Sequence, residues 1–142
     1  MKHADLLKPK GFEEVEHTAD RTYRIWGQSL AELFVQAAKR LYYLVGMQLA
    51  AAPQVIREIS LQGVDNESLL VAWLNELLYL HESENLGYEQ IEILQLDGKT
   101  LHAKVTGSHA RQWLKDLKAA TYHNLAIHST ETGFEATLVL DV

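Results

Sequence analysis

The sequence contains no cysteine. That excludes disulfides, thiolate metal sites and cysteine nucleophiles together, and it fits a reducing compartment. Proline is nearly as scarce, at two residues in 142, and no stretch is rich in Pro, Gly or Ser. Nothing therefore reads as a linker, no internal repeat stands out, and the expectation is a single domain over residues 1–142. Long apolar runs are missing as well. None approaches the roughly 18 residues of a membrane-spanning helix, and the opening MKHADLLKPKGFEEVEH lacks the apolar stretch of a signal peptide. These absences predict a cytoplasmic protein with no membrane partner. Positive charge is in deficit: 13 Lys and Arg face 19 Asp and Glu, a net charge of −6. The basic residues are scattered, so the counterion-releasing patch that tight nucleic-acid binding requires is not there. A protein partner or a cation suits such a chain better.

What is present is enough apolar residue, 47%, to bury a core. Phe12 to Trp26 reads as two short strands or one broken strand, with Tyr23 and Ile25 on one face. SLAELFVQAAKRLYYLV then follows helical spacing, with Ser29 and Glu32 placed as a capping box and Gly46 as the stop. Val55 to Gln62 alternates as a strand. DNESLLVAWLNELLYLHE is a second helix, capped by Asp65 or Asn66, whose wide apolar face suggests near-enclosure. The remainder reads mostly as strand: Tyr88 to Leu96, a hairpin turn at Asp97-Gly98, Leu101 to Val105, a helical turn over Ala110–Leu117, a strand over Lys118–His128, a turn at Thr132-Gly133, and a closing FEATLVLDV. This order predicts an α+β fold, a mainly antiparallel sheet with two principal helices.

Three stretches carry chemistry-bearing side chains. EHTAD places His17 and Asp20 between two strand-like runs. Three positions apart on an unbroken strand, they point to opposite faces; they converge only if Thr18-Ala19 bends or bulges. The bland alternative is polar residues on the wet side of a hairpin. In the last strand, Phe134, Ala136, Leu138 and Leu140 take one face and Asp141 the other. Asp141 is either a solubilising carboxylate or an ordered ligand. In LKAATYHNLAI, Lys118 and His123 flank Thr121 and Tyr122; the bland alternative is a strand with an amphipathic lysine and a half-exposed histidine. His81, Glu82 and Glu84 are near neighbours on a helix, not a facing set, and read as a solvated helix end.

Taken together, EHTAD, LLVAWLNELLYL, the TYH block and the closing LVLD, in this order and in a chain of this size, resemble the archease family over nearly the whole length. The resemblance implies a small cytoplasmic α+β protein that is not itself an enzyme. Such a protein activates the GTP- and manganese-dependent RNA ligase that joins a 3′-phosphate or 2′,3′-cyclic-phosphate end to a 5′-hydroxyl end, in tRNA splicing or RNA repair. It promotes guanylylation of the ligase and repeated turnover, and meets RNA only through the ligase. The family's divalent-metal site falls on His17, Asp20 and Asp141, and a family lysine ahead of the TYH block falls on Lys118; Lys118 and His123 are the candidates for partner contact.

The implied site is physically coherent if the first and last strands are antiparallel neighbours. Two carboxylates brought together repel unless a cation intervenes. Two oxygens with one imidazole nitrogen suit zinc or manganese, and calcium less well. Two other readings compete: a small metal-dependent hydrolase using the same three residues with Lys118 or His123 as acid or base, and a chaperone-like interaction module, which requires an exposed apolar patch.

Overall fold

In chain order the elements are β1 (Phe12–Val15), β2 (Arg21–Gly27), α1 (Leu30–Val45), β3 (Gln48–Leu49), β4 (Val55–Gln62), α2 (Asn66–Glu84), β5 (Leu86–Leu96), β6 (Thr100–Gln112), β7 (Ala119–Thr121), β8 (Ile127–Thr130) and β9 (Gly133–Asp141). They come from a computed structural model that describes residues 12–15, 21–112, 119–121 and 125–141. Among the described residues the fold is α+β, with two helices and antiparallel pairing between all the strands.

The period-2 segments build two sheets. In the first, the order is β1-β2-β9-β7, and β8 also pairs with β9. β2 and β9 run antiparallel from Gly27 opposite Phe134 to Arg21 opposite Leu140. Tyr23 and Ile25 on β2, and Ala136, Leu138 and Leu140 on β9, are buried, which is the alternation read from the sequence. The far edge of β9 is divided: β8 pairs with its beginning and β7 with its end. The expected single strand over Lys118–His128 is therefore two short strands. In the second sheet β6 lies at the centre, paired with β4 and β5 and, at its end, with β3. Leu101, Ala103 and Val105 of β6 are fully buried.

Both helices pack between these sheets. α1 meets β2, β9 and β5; α2 meets β7, β5, β4 and β6. One continuous cluster joins their apolar faces to the inner faces of the strands. α2 buries Leu69, Leu70, Trp73, Leu74 and Leu77 completely, as its broad apolar face predicts, and truncating any one of these leucines to alanine costs roughly 2–5 kcal/mol. The Trp73 indole N–H donates to the Phe34 carbonyl at 2.9 Å, fastening α2 to α1. The α1 start departs in one detail from the expected capping box. Ser29 Oγ accepts from the Glu32 N–H at 3.1 Å, but the Glu32 carboxylate accepts from Gln28 N–H at 2.8 Å, one residue earlier than anticipated. At α2, Asp65 is the cap and Ser68 completes the reciprocal pair.

Two further expectations are corrected. The helical turn placed over Ala110–Leu117 is strand as far as Gln112, and the rest of that stretch lies outside the described residues. Both edges of β6 are gripped there. Ala50 N–H donates to the His109 carbonyl at 2.9 Å, Ala110 N–H donates to the Asn85 carbonyl at 2.8 Å, and the Asn85 amide donates back to the Ala110 carbonyl at 3.1 Å. The β5–β6 hairpin turns one residue later than Asp97-Gly98. Asp97 N–H still pairs with the Thr100 carbonyl, and only Gly98 takes a positive φ, 89°. Asp97 instead accepts from the Lys99 and Thr100 N–H groups through its carboxylate, at 3.1 and 2.8 Å, a side-chain-closed turn.

Candidate functional site

Of the residues singled out in the sequence, the structure places the backbone of Asp141; His17, Asp20, Lys118 and His123 lie outside the described residues. Asp141 is the last residue of β9, at the centre of the first sheet. On one side, its neighbour Leu140 is opposite Arg21, the first residue of β2. On the other, Asp141 is itself opposite Ala119, the first residue of β7. In sequence, Asp20 immediately precedes Arg21 and Lys118 immediately precedes Ala119. The expected pairing of an early strand with the last one is thus present.

β7 is only three residues long, and a strand that short needs more than its ladder to stay in place. The missing support comes from α2. Ala120 N–H donates to Asn75 Oδ1 at 2.8 Å, and Asn75 Nδ2 donates to the Ala120 carbonyl at 3.3 Å. In an antiparallel strand successive residues turn their N–H and C=O groups to opposite edges. Ala120 turns its pair toward Asn75, so Ala119 and Thr121 turn theirs toward β9, and Ala119 and Asp141 form a hydrogen-bonded pair. Two turns earlier on α2, Glu67 Oε2 accepts from Ile127 N–H at 2.9 Å, at the start of β8. These two polar side chains of α2 therefore hold both strands that share the far edge of β9.

Sequence reasoning missed these two roles. The available signal is the setting of Asn75: a short amide, poor in a helix interior, with Val71, Leu74 and Leu78 around it, all buried. A polar residue embedded in an apolar face needs a partner, and Ala120 is that partner.

Other polar groups do different work. The Arg57 guanidinium holds Glu84 by two bonds, at 3.0 and 2.5 Å, and keeps its carboxyl below the usual carboxylate range. Both side chains are a third or more exposed, so the pair orients β4 on the end of α2 more than it stabilises it. The solvated helix end expected here holds for Glu82, which is exposed, whereas Glu84 is exposed yet paired. His102 Nε2 lies 2.7 Å from Glu58 Oε1, a cross-strand pair on the second sheet. Among the described residues no three His, Asp or Glu side chains come together in a way that would hold a metal ion. Two surface grooves are present among them. One, of about 430 Å³, is lined by Arg24, Trp26, Glu32 and Glu135 among others, at the opposite end of β9 from Asp141. The other, of about 350 Å³, lies by Met47, Gln54, Glu89 and Ser108. Neither includes β7 or the end of β9. Among the described residues no helix is long and apolar enough to cross a membrane.

Comparison with known proteins bears on the same stretch of chain. The Archease protein family matches residues 12–142. A protein archease of Saccharolobus islandicus is 37% identical over 140 residues, covering 94% of this chain and 99% of that protein. One from Methanosarcina acetivorans is 32% identical over 141 residues, covering 94% and 97%. Among solved structures, a Methanobacterium thermoautotrophicum protein superposes with a TM-score of 0.68 at 28% identity, covering 93% of this chain and 99% of that one. A Thermotoga maritima protein, described as an archease and possible chaperone, gives 0.68 at 27% identity, covering 92% and 96%. Matched over almost its full length in sequence and in fold, the chain belongs to the archease family.

Proposed function

We propose that this protein is an accessory factor for RNA ligation. It activates, by direct contact, the GTP- and manganese-dependent ligase that joins 3′-phosphate or 2′,3′-cyclic-phosphate ends to 5′-hydroxyl ends in tRNA splicing or RNA repair. It promotes guanylylation of the ligase and its repeated turnover, works beside it in the cytoplasm, and has no catalytic activity of its own. A divalent cation is held by His17, Asp20 and Asp141, and Lys118 and His123 contact the partner. Besides family membership, the observation that carries this reading is the register of the first sheet. Asp141 ends a strand flanked by one that begins just after Asp20 and another that begins just after Lys118.

The donor set suits a divalent ion. Two carboxylates sharing one end of a sheet disfavour joint ionisation unless a cation offsets them, and an imidazole beside them favours zinc or manganese over calcium. Such an ion, when bound, supplies positive charge and open coordination positions to a phosphate or a partner carboxylate. The chain's own part is to hold the ligands in place, which the β2–β9–β7 ladder supports, and to present Lys118 beside them. The acidic balance of the chain, −6, leaves RNA contact to the ligase. A general client-binding role draws less support, since among the described residues the exposed large apolar side chains, Tyr43, Ile56, Val64, Tyr79 and Leu94, fall on α1, β4, the loop before α2, α2 and β5, one on each. The test is activation of the cognate ligase by Asp20→Ala and Asp141→Ala, each checked for an unchanged circular dichroism spectrum. The proposal expects activation to be lost in both. Full activation by both would overturn it.

A further inference from the structure

We infer that Asn75 is the positioning residue for the Asp141 end of β9, acting through β7. The functional consequence rests on the metal-site reading above; the structural claim does not. An edge strand leaves a row of N–H and C=O groups unpaired. β7 is such an edge, and Ala120, at its centre, is buried, 4% exposed, so water is a poor substitute partner. The Asn75 side chain presents a carbonyl and an amide side by side, as a peptide group of a neighbouring strand would. It meets Ala120 N–H at 2.8 Å and Ala120 C=O at 3.3 Å. Among uncharged side chains only a primary amide carries its acceptor and its donor on two atoms bonded to one carbon, and Asn is the shorter of the two amides. Aspartate keeps the acceptor and sets a negative charge against the Ala120 carbonyl; leucine removes both.

The effect reaches Asp141 through one rung of the ladder. With Ala120 turned to Asn75, Ala119 faces β9 and pairs with Asp141. Release of Ala120 frees a three-residue strand, and Asp141 loses its partner on that side. Glu67 fastens β8 at Ile127, about 12 Å back along α2. The two anchors serve separate strands, so loss of Asn75 leaves the β8 end of β9 paired. Groups hydrogen-bonded to a metal ligand typically change metal affinity by about ten- to a hundredfold when removed; Asn75 acts on Asp141 one step further out, through Ala119, so that range is the ceiling for its effect.

The experiment uses the full chain as Asn75→Leu and Asn75→Asp. Amide hydrogen exchange is measured by NMR without metal, and Mn²⁺ is then titrated by its effect on water-proton relaxation. The inference expects Ala120 and Asp141 to lose protection by about tenfold or more in Asn75→Leu, with Tyr23 and Leu138 unchanged. Mn²⁺ affinity in that variant should fall severalfold, and by no more than about a hundredfold. Asn75→Asp, which retains the acceptor for Ala120 N–H, should protect Ala120 better than Asn75→Leu does. Unchanged protection at Ala120 and Asp141, or an equal loss at every core amide, overturns the inference. If the wild-type protein binds no Mn²⁺, the metal-site reading fails, while the exchange pattern still decides the role of Asn75.

Discussion

Gly133 opens β9, the strand that ends in Asp141, and its replacement by alanine is a sharp test of how that strand is seated. Two penalties combine there. The backbone φ is 149°, a region that side chains avoid, at a cost of order 1–3 kcal/mol. A Cβ would also collide with the Gly27 carbonyl oxygen and come within 2.8 Å of Gln28 Cα. Both are backbone atoms at the turn from β2 into α1, so neither can rotate aside, and overpacking of this kind adds about 1–3 kcal/mol. Reduced freedom of the unfolded chain returns about 0.4–1 kcal/mol. The expected net loss is about 1–5 kcal/mol, or roughly 3–15 °C in Tm for a domain of this size. Gly98 is the internal control. Its φ is also positive, 89°, but the nearest atom to a Cβ there is Asn66 Oδ1 at 3.9 Å. Only the conformational term applies, and Gly98→Ala should cost no more than about 1.5 kcal/mol. Urea unfolding of both variants, with unchanged m-values, provides the comparison. Equal losses, or a Gly133→Ala loss below about 1 kcal/mol, would refute the argument that a close backbone approach seats β9 on β2.

Other consequences concern pH. Burial raises the Tyr42 phenol above its ordinary value, so the fold favours the neutral form, and stability should fall as pH rises above about 10; Tyr42→Phe should flatten that alkaline limb in unfolding curves, and an unchanged limb would contradict the assignment. The bonds that Asp97 accepts from Lys99 and Thr100 hold its carboxyl below the usual carboxylate range. Its contribution is present above that range and lost as pH falls through it and below. Asp97→Asn should therefore be less sensitive to acid than the wild type, and parallel pH profiles for the two proteins would count against the turn's role.

The parts of the fold that were legible in the sequence are those set by local period. Ser29 and the 3.6 spacing that follows give α1; strict alternation gives β4 and the inner face of β9. The misreadings come from partners distant in sequence. Ala110–Gln112 looks helical locally but is drawn into β6 by Gln48–Leu49 on one edge and Asn85 on the other. The stretch before His128 looks like one strand because the sequence does not reveal that β9 has two separate partners on one edge. The turn at Asp97 shifted by one residue because its carboxylate competes for the backbone. At the site, the pairing of an early strand with the last one was a condition of the metal site that the family resemblance implies, and the β2–β9 register meets it. Asn75 did not stand out, since an amide on a helix is usually solvated and its partner lies 45 residues away.

Activation of the ligase is read out by multiple-turnover joining of a 3′-phosphate RNA to a 5′-hydroxyl RNA by the cognate ligase, with and without this protein. Catalytic amounts of it should turn a ligase stalled after one round into one that recycles. Ligation that stays unchanged in the presence of folded, metal-loaded protein would contradict it.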